Sequence, residues 1–239
     1  MAEAATGQAL LRTHDLHAWY GESHVLHGVD FEVRRGEVVT VLGRNGAGRT
    51  TMLRAIMGLA GRTAGSIRID GREIAGLPTH EVARQGIGYC PEERAIFASL
   101  SCEENLLLPP AVAPGGMPLS EIYRLFPNLL ERRRSPGTRL SGGEQQMLAL
   151  GRILRTGAKL LLLDEISEGL APVIVQAIGR VIRELRERGF TVVMVEQNFR
   201  FAAPLADRFY VMEGGRMVES FDTAQLRARM SGLQARLGV

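Results

Sequence analysis

The chain has 239 residues, 45% hydrophobic and 23% charged, with a formal net charge of +3. That length allows one sizeable core with a subdomain, and that composition is of an ordinary soluble globular protein. No apolar run approaches the length of a membrane span, and the start, Met1 to Gly7, has neither the charge nor the apolar stretch of a signal peptide.

A cytoplasmic location is therefore expected. Cys90 and Cys102 lack metal-ligand company and read as free thiols in a reducing compartment. The basic residues are scattered, and Arg132, Arg133 and Arg134 form the only run, which reads as a solvated helix end rather than a nucleic-acid patch.

From the N-terminus, Leu10 to His17 alternates loosely and Val25 to Val33 alternates again, so two strands are expected around a turn at Tyr20, Gly21 and Glu22. Trp19 and Tyr20 are either a platform for a nucleotide base or edge aromatics over the core. On their own they favour the second reading.

The next stretch, Glu37 to Thr51, organises the rest. Val38 to Leu42 is a short apolar run rich in β-branched residues, expected as a buried strand. Gly43, Gly46 and Gly48 follow, and Thr51 to Met57 reads as a helix. Strand, glycine loop and helix are the context a phosphate-binding loop requires. Its backbone N–H groups would face an anion, and Thr50 would give a hydroxyl to Mg²⁺. The loop pattern asks for lysine at position 49, where this chain has Arg49, a longer planar fork that binds oxygens in pairs. A glycine turn without a ligand is the alternative. Lys159 is the single lysine among the 29 basic residues, so Arg49 fits either a general loss of lysine or altered chemistry at the loop.

Ser66 to Asp70 alternates as a strand closed by Gly71 and Arg72, Thr79 to Arg84 is a short helical stretch, and Gly86 to Cys90 is a core strand left through Pro91, Glu92, Glu93 and Arg94. Between Ser101 and about Ala158 the character turns helical. A helix is expected from Glu103 to Leu107, a Pro/Gly-rich break from Pro109 to Pro118, and helix again from Leu119 to Leu130, interrupted at Pro127. Ser141 and Glu144 have capping-box spacing ahead of a helix from Gln145 to Arg155. Ser141, Gly142 and Gly143 are either a plain helix cap or a second helix start aimed at a phosphate.

Leu160 to Leu163, followed by Asp164 and Glu165, reads as a central strand buried on both faces with acids at its carboxyl end, the edge where α/β folds bind ligands. There Asp164 is suited to hold Mg²⁺ through water and Glu165 to act as general base on an attacking water. A strand ending in solvated acids is the alternative. Pro172 opens a helix whose Ile174, Ile178, Val181, Ile182 and Leu185 form one apolar face, and Gly189 ends it. Thr191 to Val195 is another core strand, ending at Glu196, Gln197 and Asn198. Arg208 to Met212 and Arg216 to Glu219 flank Gly214 and Gly215 as a hairpin, and Leu226, Met230, Leu233 and Leu237 give the tail helical spacing, expected to dock on its own core. Strands alternating with helices imply a mostly parallel sheet with a helical insert.

From about residue 10 to 225 these pieces resemble the nucleotide-binding subunit of an ABC transporter. The run Ser141-Gly-Gly-Glu-Gln-Gln146 upstream of Leu160-Leu-Leu-Leu-Asp-Glu165 is far more specific than the loop alone. The resemblance implies one ABC ATPase domain over 1–239: an α/β P-loop NTPase core (1–90 and 159–225) with a mostly parallel sheet and an N-terminal antiparallel β part, a helical subdomain (91–158) and a helical tail (226–239). It implies ATP with Mg²⁺, and two ATPase subunits, identical or paralogous, paired head to tail with each ATP between them. Carried over, Gly43, Asn45, Gly46, Ala47, Gly48, Arg49, Thr50 and Thr51 hold phosphates and Tyr20 stacks on adenine. Ser141, Gly142 and Gly143 reach the γ-phosphate of the partner's ATP. Thr50, Glu92 and Asp164 form the metal set, and Glu165 and Gln197 are catalytic.

Arg49 stands where the family has lysine, Glu92 where it has glutamine, Gln197 where it has histidine, and Ile166 where it has proline. Pro-Glu-x-Arg, Ser-Glu-Gly-Leu-Ala-Pro and Val-Glu-Gln-Asn resemble the ATPase subunits of branched-chain amino-acid importers, which carry that glutamine. The expectation is an ATPase on the inner face of the membrane that powers such an importer. It would dock on transmembrane permease subunits near Glu92 and the helical insert, with only an indirect link to a solute-binding protein and none to nucleic acid. One alternative is a regulatory or degenerate ABC subunit with little hydrolysis because of Arg49. Another is a soluble ABC protein acting on DNA or ribosomes, but those carry two cassettes or long coiled insertions, and this chain has neither.

Overall fold

The computed structural model describes residues 9–237; the opening segment and the last two positions lie outside the described residues. Strands β1 (Ala9–Tyr20) and β2 (Ser23–Arg34) form an antiparallel hairpin, and β3 (Val38–Leu42) leads through the glycine loop into helix α1 (Arg49–Ile56). Then come β4 (Arg62–Ile69), β5 (Arg72–Glu73), α2 (Thr79–Ala83) and β6 (Ile87–Cys90). Four helices follow: α3 (Cys102–Leu107), α4 (Leu119–Leu125), α5 (Pro127–Glu131) and α6 (Gly142–Arg155). The chain returns through β7 (Leu160–Asp164), α7 (Pro172–Glu187), β8 (Thr191–Glu196) and α8 (Phe199–Ala202) to β9 (Arg208–Glu213), β10 (Arg216–Asp222) and the tail helix α9 (Leu226–Leu237).

The strands make two sheets. One is antiparallel, with strand order β2-β1-β4-β5. The other runs β10-β9-β3-β8-β7-β6, parallel throughout except for the β9–β10 hairpin at its edge. The parallel strands are buried on both faces, and their alternation sends side chains to opposite sides of the sheet. Val39, Val41, Leu160, Leu162, Val193 and Val195 pack with the antiparallel sheet and α1. Val38, Leu161, Leu163, Val192 and Met194 pack with α6 and α7 on the other side. The loop after β3 and the acids after β7 are thereby delivered to one edge of the sheet.

Several elements depart from their local signals. Helix α1 starts two residues early, at Arg49, because a first turn needs no apolar face. Strand β4 starts at Arg62 rather than Ser66, since it follows its partner as far as Trp19 rather than its own alternation. Pro127 begins α5 instead of merely interrupting a helix, its missing N–H costing nothing in a first turn. The short α8 was not expected. It is too brief to show a period and is capped by Asn198, whose Oδ1 accepts from Phe201 N at 3.2 Å. Helix α9 docks as expected, with Leu233 buried and Leu226 and Met230 against a cluster containing Phe199, Phe209 and Phe221. The side chain of Leu237 lies outside the described part. Among the described residues, no helix is long and apolar enough to cross a membrane.

The turn between β9 and β10 braces the glycine loop. Gly215 N donates to Ala47 O at 2.8 Å, and Gly215 O accepts from His27 N at 2.9 Å. Gly215 has φ +73°, and a Cβ there would stand 1.9 Å from Val25 O. Gly215→Ala is therefore expected to lose about 1–3 kcal/mol or more of stability, read from urea unfolding midpoints. An unchanged midpoint would show that this turn does not brace the loop.

Candidate active site

Strand β3 aims the loop at the carboxyl edge of the parallel sheet. Gly43 admits no side chain, since a Cβ would lie 2.6 Å from Met212 O. Gly48, at φ +107°, turns the chain into α1, whose start has no side-chain cap and no acid in its first turn. Its first N–H groups and the positive end of its dipole thus remain open to an anion. They border a cleft of about 290 Å³ lined by Val25, the loop from Asn45 to Thr51, Glu92, Glu165 and Glu168.

Asp164 closes the floor behind the loop. It is fully buried at the end of β7, where it accepts from Thr50 Oγ1 at 3.0 Å and from the Tyr89 hydroxyl at 2.9 Å. Burial pushes its acid above the ordinary range, and those two hydrogen bonds pull it back. Glu165 then leaves the strand direction at φ +47°, in the left-handed region, and its carboxylate enters the cleft. There it pairs with Arg49 Nη2, the two side chains being only 9% and 3% exposed. Arg49 Nη2 also donates to Asn45 Oδ1 at 3.2 Å, while the buried Nη1 has no partner among the described residues.

Glu92, Glu165 and Glu168 bring one carboxylate oxygen each within 4.8 Å of one another. Burial, then the bond to Glu168, pushes Glu165 up to about 8, against the pull of Arg49. A hydroxyl beside a ring of carboxylates is a hard oxygen set of the kind Mg²⁺ takes. An orphaned guanidinium nitrogen beside bare helix amides is what a phosphate oxygen takes.

Of the other expected site residues, Tyr20 stands 39% exposed at the β1–β2 turn and does not line this cleft. Its neighbour Trp19 is occupied, stacked on His24 with centroids 4.3 Å apart and covered by Arg62. Ser141, Gly142 and Gly143 also lie outside the cleft. They open α6 with a complete capping box, Ser141 N donating to Glu144 Oε2 at 2.7 Å and Glu144 N to Ser141 Oγ at 3.3 Å. Gln197 lines a neighbouring, wider cleft that shares Glu165 and Glu168 with the first.

Residues 26–168 match the family model described as ABC transporter. The chain belongs to the ABC transporter family. It is 46% identical over 209 residues to the high-affinity branched-chain amino acid transport ATP-binding protein BraG of Pseudomonas aeruginosa, covering 84% of this chain and 87% of that one. It is 37% identical over 219 residues to the lipopolysaccharide export system ATP-binding protein LptB of Escherichia coli, covering 88% and 89%. Its fold matches the dimeric post-hydrolysis state of an ATP-binding cassette bound to ADP and Pi, with TM-score 0.75 and 23% identity over 89% of this chain and 98% of that one.

This ABC ATPase carries two further acids at the site that local patterns left without a role. Glu168 joins Glu165 because the chain turns tightly between them, Glu168 N donating to Glu165 O at 3.2 Å. Its signal was an acid three residues beyond the Asp164–Glu165 pair. Glu196, buried beside Gln197, accepts from Ser167 N at 3.2 Å and Ser167 Oγ at 2.9 Å. It thereby ties the end of β8 to the segment that carries Glu168.

Burial raises the Glu196 acid from 4.5 to about 7. A raised acid stabilises the fold fully below its unfolded value and loses that contribution as pH climbs through its folded value. Between those limits the loss is on the order of 3 kcal/mol. Glu196→Gln removes the titration, so its stability is expected to fall less than the parent's as pH rises from 4.5 to 7. Parallel denaturation curves for the two proteins across that window would contradict this placement of the acid.

Proposed function

We propose that the chain is the ATP-hydrolysing subunit of a membrane transporter, and that the transporter imports branched-chain or related amino acids. The observation that carries the ATPase chemistry is the convergence of the glycine loop, Thr50 and Glu165 on one cleft, with Asp164 buried behind Thr50 and bonded to it. The likeness to BraG, closer than that to LptB, supports the solute class. The Val195-Glu196-Gln197-Asn198 ending, which resembles that branch, supports it too.

ATP's phosphates lie against the loop amides and the start of α1. Arg49 exchanges Glu165 for phosphate oxygens, its unpartnered Nη1 being the first donor available. Thr50 and Asp164, with Glu92 at the rim, would hold Mg²⁺, which would supply neutralising charge for the phosphates. Glu165, released from Arg49, takes a proton from the attacking water. The water oxygen bonds to the γ-phosphorus as the bond to the β–γ bridging oxygen breaks, and ADP and phosphate leave. Gln197 steadies the γ-phosphate from the neighbouring cleft, and Tyr20 covers the adenine. Ser141, Gly142 and Gly143 meet the ATP held by a second ATPase subunit, head to tail. Closing and opening pass to permease subunits near Glu92 and the helical segment 91–158. A solute-binding protein acts only through those subunits.

A second reading draws on the Arg49–Glu165 pair. If Arg49 does not release Glu165, the chain binds nucleotide without turning it over and serves as a regulatory or degenerate subunit. Phosphate release from MgATP decides between them. The purified chain is expected to turn over, Glu165→Gln to lose about 10²-fold or more, and Arg49→Lys to retain turnover. Tight ATP binding with turnover only in Arg49→Lys would establish the second reading instead.

A further inference from the structure

The segment that leaves β6 is strained and gripped. Arg94 and Ala95 are consecutive non-glycine residues at φ 62° and 47°. Side chains persist in that region only where their surroundings hold them. The segment's own turn holds part of it, Arg94 N donating to Pro91 O at 3.0 Å and Ala95 N to Glu93 O at 2.7 Å, and α6 grips the rest. Arg94 Nη1 donates to Gln145 Oε1 and Nε to Gln146 Oε1, each at 3.3 Å. Arg152 donates to the carbonyl of Ala95.

The guanidinium also lies over the first residue of α6. A Cβ on Gly142 would stand 3.3 Å from Arg94 Nη1 and 3.4 Å from Nη2. A cation at a helix start opposes the helix dipole, so helix stability gives no reason for its place. The bonding pattern does give one. Gln145 passes the contact on, its Nε2 donating to Gly137 O at 3.2 Å and Leu140 O at 3.1 Å, which frames the turn into Ser141. Gln146 is buried and reaches Cys90 Sγ at 3.6 Å, at the end of β6. Two residues before Arg94, Glu92 lines the phosphate cleft.

We infer that Arg94 is a positioning residue: it locks the start of α6, with Ser141, Gly142 and Gly143, to the strap that carries Glu92. This rests on the ATPase reading, in which those three residues face a partner's ATP while Glu92 faces the chain's own. One strained strap then sets the pose of the groups a subunit offers its partner by the state of its own cleft. Arg94 itself does not line the cleft.

The test uses the full chain with Glu165→Gln, which stops hydrolysis, alone and with Arg94→Ala or Arg94→Lys. Dimer formation with ATP is followed by light scattering, ADP binding by calorimetry, and backbone hydrogen exchange at residues 142–147 by mass spectrometry. Arg94→Ala is expected to leave ADP affinity within about twofold, raise the ATP needed for dimerisation about tenfold, and speed exchange at 142–147 about tenfold. Arg94→Lys, which keeps the charge but cannot bond both glutamines, is expected to fall between. Parent-like exchange and dimerisation in Arg94→Ala would overturn the inference. If Arg94→Ala fails to fold, parent-like exchange in Arg94→Lys overturns it and faster exchange supports it. If Glu165→Gln itself neither binds ATP nor dimerises, the ATPase reading fails, and exchange at 142–147 still decides whether Arg94 holds the helix start.

Discussion

The buried carboxylate of Asp164 is the constraint on which the site depends. A charge with no exposure to water is costly unless every lone pair is engaged. Thr50 and Tyr89 engage it from α1 and β6, so three elements are tied at one acid. The consequences spread outward. With Thr50 fixed, the start of α1 cannot drift from the sheet, and the loop before it keeps its amides turned to the cleft. With β7 ended at Asp164, the next residue must turn, which places Glu165 over the loop rather than along the strand.

Arg49 is the feature that sets this loop apart from a lysine-bearing one. A guanidinium has donors to spare: Nη2 reaches both Asn45 and Glu165 while Nη1 stays unpartnered. Buried ion pairs are weak sources of net stability, but removing one partner costs about 3–5 kcal/mol because the other is stranded. The pair therefore suits a site whose anion arrives from outside. A phosphate relieves the stranded charge on Arg49, and a cation beside Glu165 relieves the burial of that carboxylate and its crowding by Glu168 and Glu92. The residue that breaks the loop pattern is thus a working part of the charge balance rather than a vacancy.

Much of the architecture was legible because its signals are short-range. The β-branched run before Gly43, the four leucines before Asp164, the capping box at Ser141 and the apolar stripe from Ile174 to Leu185 each fit within one element, where the periods of 2 and 3.6 act. What failed locally was what a partner strand or a cap decides. Strand β4 took its length from Trp19, and α8 had no period to show.

The sequence by itself determined the order of strands and helices, the glycine loop, the acids at the end of β7, and the family resemblance of the motifs at Ser141 and Gln197. Only the tertiary structure decided which charges meet. Thr50 and Asp164 are 114 residues apart and Arg49 and Glu165 are 116 apart. No local pattern relates them, since their contact follows from β3 and β7 both pairing with β8 in one parallel sheet. The same holds for Glu168, whose tight turn carries it to Glu165, and for Arg94, whose grip on Gln145 and Gln146 exists only where the strap from β6 crosses the start of α6. Side-chain chemistry is written residue by residue, but partnership between charges is set by packing, and that is a property of the whole chain.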